Sequence, residues 1–254
     1  MPAPATLQRL RDQLAALAPR GCVDVEDGFR LGMAPADLGV GPLARKGLHE
    51  VFAASSAQAV SANGFGLSLA LRAAPPPLVW VLEDRALSEV GAPYGAGLHE
   101  WGLEPSDLVL VRVRSAQALL AAGEEALKSG AVGAVLMSGW GEGRAWSLTA
   151  GRRLALAAEA GAATALLIRS GAKPRPSAAD TRWSVEAAPS AALEARAPGR
   201  PAFRAVLLRS RKGPAGGEWI MEWDREARSF VEPAAASGRV VPVSGDRQAG
   251  VRAA

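Results

Sequence analysis

Residues 48–71, LHEVFAASSAQAVSANGFGLSLAL, have the outline of a nucleotide-binding segment. A short apolar strand (48–52), a loop of small residues and an apolar helix follow one another, which is the order of elements around a phosphate-binding loop. Such a loop needs glycines whose backbone N–H groups approach the phosphates, a Lys for the terminal phosphates and a Ser or Thr for Mg²⁺. This loop has Ser55 and Ser56, but it has no Lys and no Gly before Gly64. The sequence therefore predicts the strand, loop and helix without the phosphate site.

Other candidate reactive residues lie on or at the ends of predicted strands. Residues 78–82, LVWVL, form a continuous apolar run of the kind that parallel sheets bury on both faces. Glu83 and Asp84 follow this run directly, at the carboxyl end of the strand, where open α/β sheets bind their ligands. His49 and Glu50 are neighbours on the first strand, so their side chains point to opposite faces and cannot easily act on one substrate atom. We interpret this pair as polar anchors of a strand.

The elements that carry these residues alternate between strand and helix. Apolar runs predict strands at 48–52, 78–82, 108–113, 131–138 and 163–170. Helices are predicted near 60–73, 95–102, 115–129 and 149–161, with Ser115 and Thr149 as N-caps. Strands that alternate with helices through short loops imply an α/β fold with a mostly parallel sheet flanked by helices. Residues 20–46 are rich in Gly and Pro and predict little regular structure.

The C-terminal part of the chain follows a different pattern. Residues 181–187 alternate in polarity, and three further segments resemble antiparallel strands: 203–211, 216–224 and 228–232. We interpret them as an antiparallel extension of the sheet. The predicted organisation is an N-terminal interaction helix (1–20), a core (21–180), antiparallel strands (181–232) and a flexible tail (233–254).

The N-terminal helix has one narrow apolar stripe. Four leucines lie three and four residues apart on it: Leu7, Leu10, Leu14 and Leu17. The stripe packs either on its own domain or on a neighbouring protomer or another protein. Both interpretations stay open, and self-association is one expectation.

Composition describes a globular chain with few residues for metal or disulfide chemistry. The 254 residues are 49% hydrophobic, carry a net charge of +4 and include one cysteine and two histidines. This inventory disfavours a disulfide or a bound metal and suits a reducing compartment. No apolar run is long enough to span a membrane, and the N-terminus has no secretory pattern, so we expect a cytoplasmic protein without membrane contact.

The basic excess lies in the last quarter of the chain. From Arg196 onward there are eleven Arg and Lys residues against six Asp and Glu. Four cations lie near two tryptophans in this region: Arg204, Arg209, Arg211 and Lys212, with Trp219 and Trp223. Positive charge beside aromatic rings suits single-stranded DNA and also suits a protein interface. We place packing of the tryptophans in the core or at the sheet edge first, a protein interface second and DNA third.

Several stretches together resemble the ImuA family of RecA-like proteins, whose members are sometimes labelled SulA-like. The stretches are GLHEVFA, LVWV, APYGAGLHEWGLEPSDLVLVR, EEAL, TAGRRLALAAEAG, TRWSVEAAPSA and the pair LLRSRKG and GEWIMEW, spread over residues 28–230. The resemblance implies a RecA-like fold, in which a mostly parallel sheet is flanked by helices and extended by antiparallel strands at its C-terminal end.

Comparison with true recombinases implies that the catalytic groups are missing. Met137 stands where a recombinase strand ends in an acid of the Mg²⁺ shell, and Met cannot ligate Mg²⁺. Asp84 falls near the acid that activates the attacking water in recombinases, and Tyr94 falls near an aromatic residue that stacks on adenine there. Phosphoryl transfer needs charge stabilisation by Lys and metal together. We therefore expect a protein that is not an enzyme and has no cofactor, with Asp84 and Tyr94 as vestigial nucleotide contacts.

The resemblance implies a non-catalytic adaptor in a damage-induced translesion DNA synthesis complex. The partners in this family are ImuB, which is an inactive relative of Y-family polymerases, an error-prone DNA polymerase, and RecA itself. The leucine stripe is the expected partner interface, and the cations at 204–212 are the expected contacts with a partner or with single-stranded DNA. The alternatives are a degenerate RecA-type ATPase or DNA-binding protein, and a SulA-like inhibitor of cell division.

Overall fold

A nine-stranded sheet forms the centre of the molecule. The computed structural model describes residues 28–191, 197, 199–211 and 216–233. The strands are β1 (Gly28–Phe29), β2 (Leu43–Ala44), β3 (Leu48–Ala53), β4 (Leu78–Glu83), β5 (Leu108–Val113), β6 (Ala134–Trp140), β7 (Thr164–Ser170), β8 (Thr181–Ala187), β9 (Ala202–Ser210), β10 (Glu218–Asp224) and β11 (Ser229–Val231). The helices are α1 (Ala34–Val40), α2 (Ala59–Ala73), α3 (Asp84–Val90), α4 (Gly95–Glu100), α5 (Ala116–Lys128) and α6 (Leu148–Ala160). No helix within these ranges is long and apolar enough to cross a membrane.

The strand order confirms the predicted architecture. From edge to edge the sheet runs β11, β10, β9, β8, β3, β7, β6, β4 and β5. Neighbouring strands from β8 to β5 are parallel, as expected for strands joined through helices. Because β8 is parallel to β3, the antiparallel part of the sheet begins where β9 pairs with β8, and it continues through β10 and β11.

Helices cover both faces of the parallel strands and create two apolar cores. Helix α2 packs on one face, and α5 and α6 pack on the other. On the α2 face, Phe65 is fully buried, and its ring centroid lies 5.2–5.7 Å from those of Trp183, Phe203 and Phe230. This aromatic cluster (Phe65, Trp183, Phe203, Phe230) joins the helix to the C-terminal strands, so these strands belong to the same folded unit as the parallel sheet.

The segment before β3 has more regular structure than its Gly and Pro content predicts. β1 pairs with β2 in a small antiparallel sheet, and α1 lies between them in the chain. The Asp37 carboxylate accepts the backbone N–H groups of Leu31 and Gly32, at 2.7 and 3.0 Å, and thereby fixes the turn before α1. The local Gly and Pro content predicted a loop because it does not show that an acid further along the chain closes this turn.

One of the two predicted helix caps is confirmed. Ser115 Oγ accepts the backbone N–H of Ala118 at 3.3 Å at the start of α5. The prediction of Thr149 as the cap of α6 is wrong, since Ser147 Oγ accepts the N–H of Ala150 at 3.2 Å. Ser and Thr are both good capping residues, so the tertiary fold and not the residue type decides between the two positions.

Candidate functional site

The carboxyl ends of the parallel strands meet at one edge of the sheet, which is where open α/β sheets bind ligands. The loop after β3 (residues 54–58), the acids Glu83 and Asp84 where β4 ends, and the loop after β6 (residues 141–147) all lie at this edge. Strands β7 and β6 separate β3 from β4 in the sheet. The candidate groups that the sequence spreads over almost one hundred residues are therefore brought to one side of the molecule.

The loop after β3 is tight, and the residues at its two ends bond to β8. Ala54 donates its backbone N–H to the carbonyl of Val185 at 2.9 Å, and residues 56–58 form a 3-10 turn that leads directly into α2. Gln58 closes the loop, because its Oε1 accepts the backbone N–H of Ala187 at 2.8 Å. The loop is therefore fastened to β8 at both ends, through Ala54 and Gln58.

The spacing of strand, loop and helix allows a direct comparison with the phosphate-loop motif GxxxxGK[ST]. Residues 54–61, ASSAQAVS, occupy the positions of that motif. Ala54 and Ala59 stand at the glycine positions, and Val60, 65% exposed, stands at the Lys position. Ser61 matches the last position, a residue that the sequence-based search missed and that counting back from the helix would have found. Its hydroxyl donates a 3.4 Å bond within the same loop.

Asp84 and Tyr94, the two predicted remnants of a nucleotide site, have different surroundings. Asp84 begins α3, and its Oδ1 accepts from Arg112 Nε in an ion pair with the neighbouring strand β5. Tyr94 lies immediately before α4, and its side chain is 76% exposed. The structure therefore gives the Asp84 carboxylate an arginine partner and leaves the Tyr94 ring at the surface. Their assignment as remnants of a nucleotide site stays a prediction.

Ser138, rather than Met137, is the residue of β6 that faces α2. Met137 is fully buried on the other face, where a Cβ at Gly123 of α5 would collide with its Sδ. Ser138 Oγ donates to Asn63 Oδ1 at 2.6 Å and accepts from Trp80 Nε1 at 2.8 Å. Because side chains alternate along a strand, a shift of one residue changes which group faces the loop after β3. The group at this position is a neutral hydroxyl held by two side chains.

Glu83 is a buried acid at this edge of the sheet. The residue is 7% exposed, and its Oε2 accepts the backbone N–H of Trp140 at 2.9 Å. This bond joins the end of β4 to the end of β6. Glu83 therefore holds two strand ends together, as a buried carboxylate must find donors to offset the loss of water.

A buried ion pair lies on the α6 face of the same edge. Glu50 Oε2 lies 3.0 Å from Arg182 Nε, with side chains that are 6% and 10% exposed. The Ser177 hydroxyl donates to Glu50 Oε2 at 2.7 Å and accepts from Arg182 Nη2 at 2.7 Å. The interpretation of Glu50 as a structural anchor is confirmed. Its partner could not be found from the sequence, because Arg182 lies 132 residues further along the chain.

His49 points to the opposite face and is held as a neutral imidazole. Nε2 lies 2.8 Å from the carbonyl of Ala44 and therefore carries the proton, so Nδ1 accepts from the Thr181 hydroxyl at 2.8 Å. Trp183 Nε1 donates to the same hydroxyl oxygen at 2.9 Å. Burial lowers the pKa of His49 below its ordinary value. The interpretation of His49 as a polar anchor is confirmed by these contacts.

We expect the protonation of His49 to make stability depend on pH. Because its pKa is lower in the folded chain than the ordinary value of about 6.5, the unfolded chain binds the proton more readily. The free energy of unfolding therefore has its full value above about pH 6.5 and falls as the pH drops below it. The slope of this fall approaches about 1.4 kcal/mol per pH unit. Urea unfolding between pH 7 and 5 measures this slope.

Two histidine variants separate this effect from the titration of carboxylates. His49→Gln is expected to reduce the pH slope, whereas His99→Gln, which changes the exposed histidine beside Glu104, is expected to keep it. Equal slopes in the wild-type chain and in both variants would show that His49 does not control the acid sensitivity.

Arg204, the first of the predicted C-terminal cations, is already paired. Its guanidinium bonds to Glu218 at 2.6 and 2.9 Å and to Glu186 at 2.6 Å on the outer side of the C-terminal strands. The hydrogen bonds with Glu218 and Glu186 raise the pKa of Arg204 above its usual range. Two carboxylates therefore compensate its charge, which weakens the prediction that Arg204 contacts DNA phosphates.

The remaining predicted cations have different environments. Arg209 is exposed on β9, and Arg211 donates to the carbonyl of Ala178 at 3.4 Å. Lys212 lies outside the described residues. The four leucines of the predicted partner interface, Leu7, Leu10, Leu14 and Leu17, also lie outside them, so both assignments stay predictions.

The tryptophans near these cations are part of the core. Trp223 is 1% exposed, and its Nε1 donates to the carbonyl of Trp101 at 3.0 Å. The ring of Trp219 is partly buried, with its centroid 6.2 Å from that of Trp183. The preferred interpretation, packing in the core, is confirmed. Base stacking needs an accessible ring face, which the Trp223 side chain does not offer.

Comparison with known proteins identifies the fold. The chain matches no protein-family model and no curated protein. It is similar to the crystal structure of the RadB recombinase, with 15% sequence identity and a TM-score of 0.53, over 81% of this chain and 100% of that chain. At this identity the similarity concerns the fold alone. The chain has a RecA-like α/β fold, with a mostly parallel sheet between helices and antiparallel strands at its C-terminal end.

Proposed function

We propose that this chain is a non-catalytic RecA-like adaptor that acts through protein–protein contacts in a damage-induced translesion DNA synthesis complex. The observation that carries the proposal is the loop after β3, where a RecA-like sheet is combined with Ala54, Ala59 and Val60 at the Gly, Gly and Lys positions of the phosphate loop. A RecA-like scaffold that lacks those groups would act through contacts of its surface with other proteins.

The chemistry of the surrounding residues supports the non-catalytic part of the proposal. Transfer of a phosphoryl group requires a cation and a metal at the phosphates. Val60 supplies no charge, Asp84 is in an ion pair with Arg112, and Ser138 offers a hydroxyl where recombinases have an acid. These contacts favour a retained scaffold over a degenerate ATPase.

The sequence stretches that resemble the ImuA family support the choice of partners. The proposed partners are an ImuB-like inactive relative of Y-family polymerases, an error-prone DNA polymerase and RecA. The proposed interface is the N-terminal leucine stripe, whose heptad spacing suits a helix–helix contact. DNA contacts through the C-terminal cations are a weaker proposal, because Arg204 is paired with two glutamates.

Complex formation with the purified partners tests this proposal. We expect the full chain to co-elute from a sizing column with the ImuB-like protein or with RecA from the same organism, without nucleotide. Combined Leu10→Glu and Leu14→Glu changes are expected to abolish the complex, because they place charges on the apolar stripe. Leu38→Glu, which changes a leucine that is 85% exposed and lies outside the stripe, is the matched control and is expected to keep it.

Two outcomes would contradict the proposal in different ways. The absence of a complex with either partner, from a folded sample, would remove the adaptor role. Micromolar binding of Mg-ATP in calorimetry that Asp84→Ala abolishes would remove the non-catalytic role and favour the degenerate ATPase.

A further inference from the structure

Arg169, near the end of β7, is a buried cation without a carboxylate in direct contact among the described residues. The residue is 6% exposed, its Nη2 donates to the carbonyl of Gly141 at 2.8 Å, and its buried Nε has no acceptor in the described part of the chain. Its guanidinium carbon lies 3.7 Å from the ring centroid of Trp146 and 5.9 Å from that of Phe52. A buried guanidinium with one acceptor is costly, because its lost hydration is not replaced.

The carboxylates near this guanidinium are engaged with other donors. Glu50 belongs to the buried ion pair with β8, Glu142 forms an ion pair with Arg175, and Glu83 accepts a backbone N–H. Burial lowers the pKa of Arg169 to about 10, so the side chain stays charged at neutral pH. The charge therefore remains without a direct counterion from the described residues.

A small cavity opens beside Arg169, between the end of the sheet and the start of α6. The polar groups in its wall are Arg169, Lys173, Arg175, Ser147 and Ser177, with Glu50 as the acid. Arg175 pairs with Glu142 and the Ser177 hydroxyl donates to Glu50, so Arg169 and Lys173 are the wall cations without an ion pair in the described part of the chain. Helix α6 has 13 residues, and its first turn, at Ala150 and Gly151, is also part of the wall. The N–H groups of Ala150 and Gly151 already bond to Ser147, but the positive end of the helix dipole at this terminus still favours an anion.

We infer that this cavity binds a single phosphate group, with Arg169 as the cation that pairs with it. The inference goes beyond the proposed function, because the cavity lies on the α6 face and does not include the loop after β3. A bound phosphate would bring a negative charge beside the Arg169 guanidinium and near the positive end of the α6 dipole. The source is either free phosphate or the terminal phosphate of a nucleic-acid chain. An internal phosphodiester fits less well, since two substituents would have to pass the walls around a guanidinium that is almost completely buried.

Thermal unfolding in inorganic phosphate tests the site. With a Kd of about 1 mM, the unfolding midpoint is expected to be about 5 °C higher in 0.1 M phosphate, ~100 times the Kd, than in chloride of the same ionic strength. Arg169→Met is expected to retain only the general stabilisation that phosphate gives to folded proteins. Arg209→Met, which removes an exposed arginine on β9, is the matched control and is expected to keep the full increase. An equal increase in all three chains would overturn the site.

The NMR signal of the Arg169 Nε–H group gives a second readout that uses the wild-type chain and does not depend on whether a variant folds. In the full wild-type chain this signal is expected to shift on addition of inorganic phosphate, with a midpoint near 1 mM, and an unchanged signal at about 100 mM would overturn the inference. Oligothymidylate with a 5′-phosphate, compared with the same chain ending in a 5′-hydroxyl, separates the two sources. A midpoint at least tenfold lower with the phosphorylated oligonucleotide assigns the site to a nucleic-acid end, and equal midpoints for this oligonucleotide and inorganic phosphate assign it to free phosphate.

Discussion

Phe65→Ala is expected to lower the free energy of unfolding by about 3–5 kcal/mol, as is typical when a buried aromatic side chain is truncated. Phe65 is fully buried, and its ring contacts the rings of Trp183, Phe203 and Phe230. The alanine would leave a cavity between α2 and the C-terminal strands, and the neighbouring rings are too large to fill it without leaving their own contacts. Urea unfolding of the wild-type chain and the variant measures the loss.

Two further variants show whether the size of the Phe65 side chain causes this loss. Phe65→Leu preserves much of the volume and is expected to cost about 1–2 kcal/mol, because the aromatic contacts are lost while less of a cavity is left. Val60→Ala changes an exposed residue on the same helix and is expected to stay within about 0.5 kcal/mol of the wild type. A loss below about 1 kcal/mol for Phe65→Ala would mean that the aromatic cluster does not join the helix to these strands.

Arg182→Met is expected to lower the free energy of unfolding by about 3–5 kcal/mol, because it leaves the Glu50 carboxylate buried without its cation. The two side chains are 10% and 6% exposed, and Ser177 would be the one donor to the carboxylate left among the described residues. Glu50→Leu is expected to have a similar cost, since it leaves the Arg182 guanidinium unpaired instead. Urea unfolding at pH 7 measures both losses.

The double variant Glu50→Leu with Arg182→Met separates the loss of the ion pair from the cost of leaving one buried charge unpaired. It is expected to cost less than either single change, because an apolar pair of similar size needs no hydration. Asp84→Asn breaks the exposed pair with Arg112 and is expected to cost less than about 1 kcal/mol. Losses that simply add in the double variant would show that Glu50 and Arg182 stabilise the fold independently.

The parallel sheet could be predicted from the sequence because its strands are buried on both faces. Strands β3, β4 and β7 consist mainly of apolar residues, and the structure buries every residue in them, including the polar His49, Glu50 and Arg169. Strand β8 pairs in parallel with β3, a neighbour that a pattern within one segment cannot identify. The turn closed by Asp37 was missed for the same reason, since its hydrogen bonds depend on a side chain from the next element.

The candidate site was less predictable than the sheet. The loop after β3 could be located because its lack of Gly and Lys is visible in the residues themselves. The partners of Asp84, Glu50 and Arg169 could not be found, since each contact joins separate strands or loops. Which residue of β6 faces α2 has a local cause: side chains alternate along the strand, so Ser138 faces the helix and Met137 faces the other side.

The position of β3 in the sheet affects how the chain is made as well as how it is held. Its neighbours, β7 and β8, are synthesised long after it, and His49 pairs with Leu166 and Thr181. At about 5–20 residues per second, β3 waits on the order of 6–20 s on the ribosome before its first partner strand emerges. During that interval an apolar strand with two open edges is available to chaperones or to other nascent chains. The yield of folded protein in cells is therefore expected to depend on the translation rate. This dependence is expected to be stronger than for a protein whose consecutive strands pair with each other.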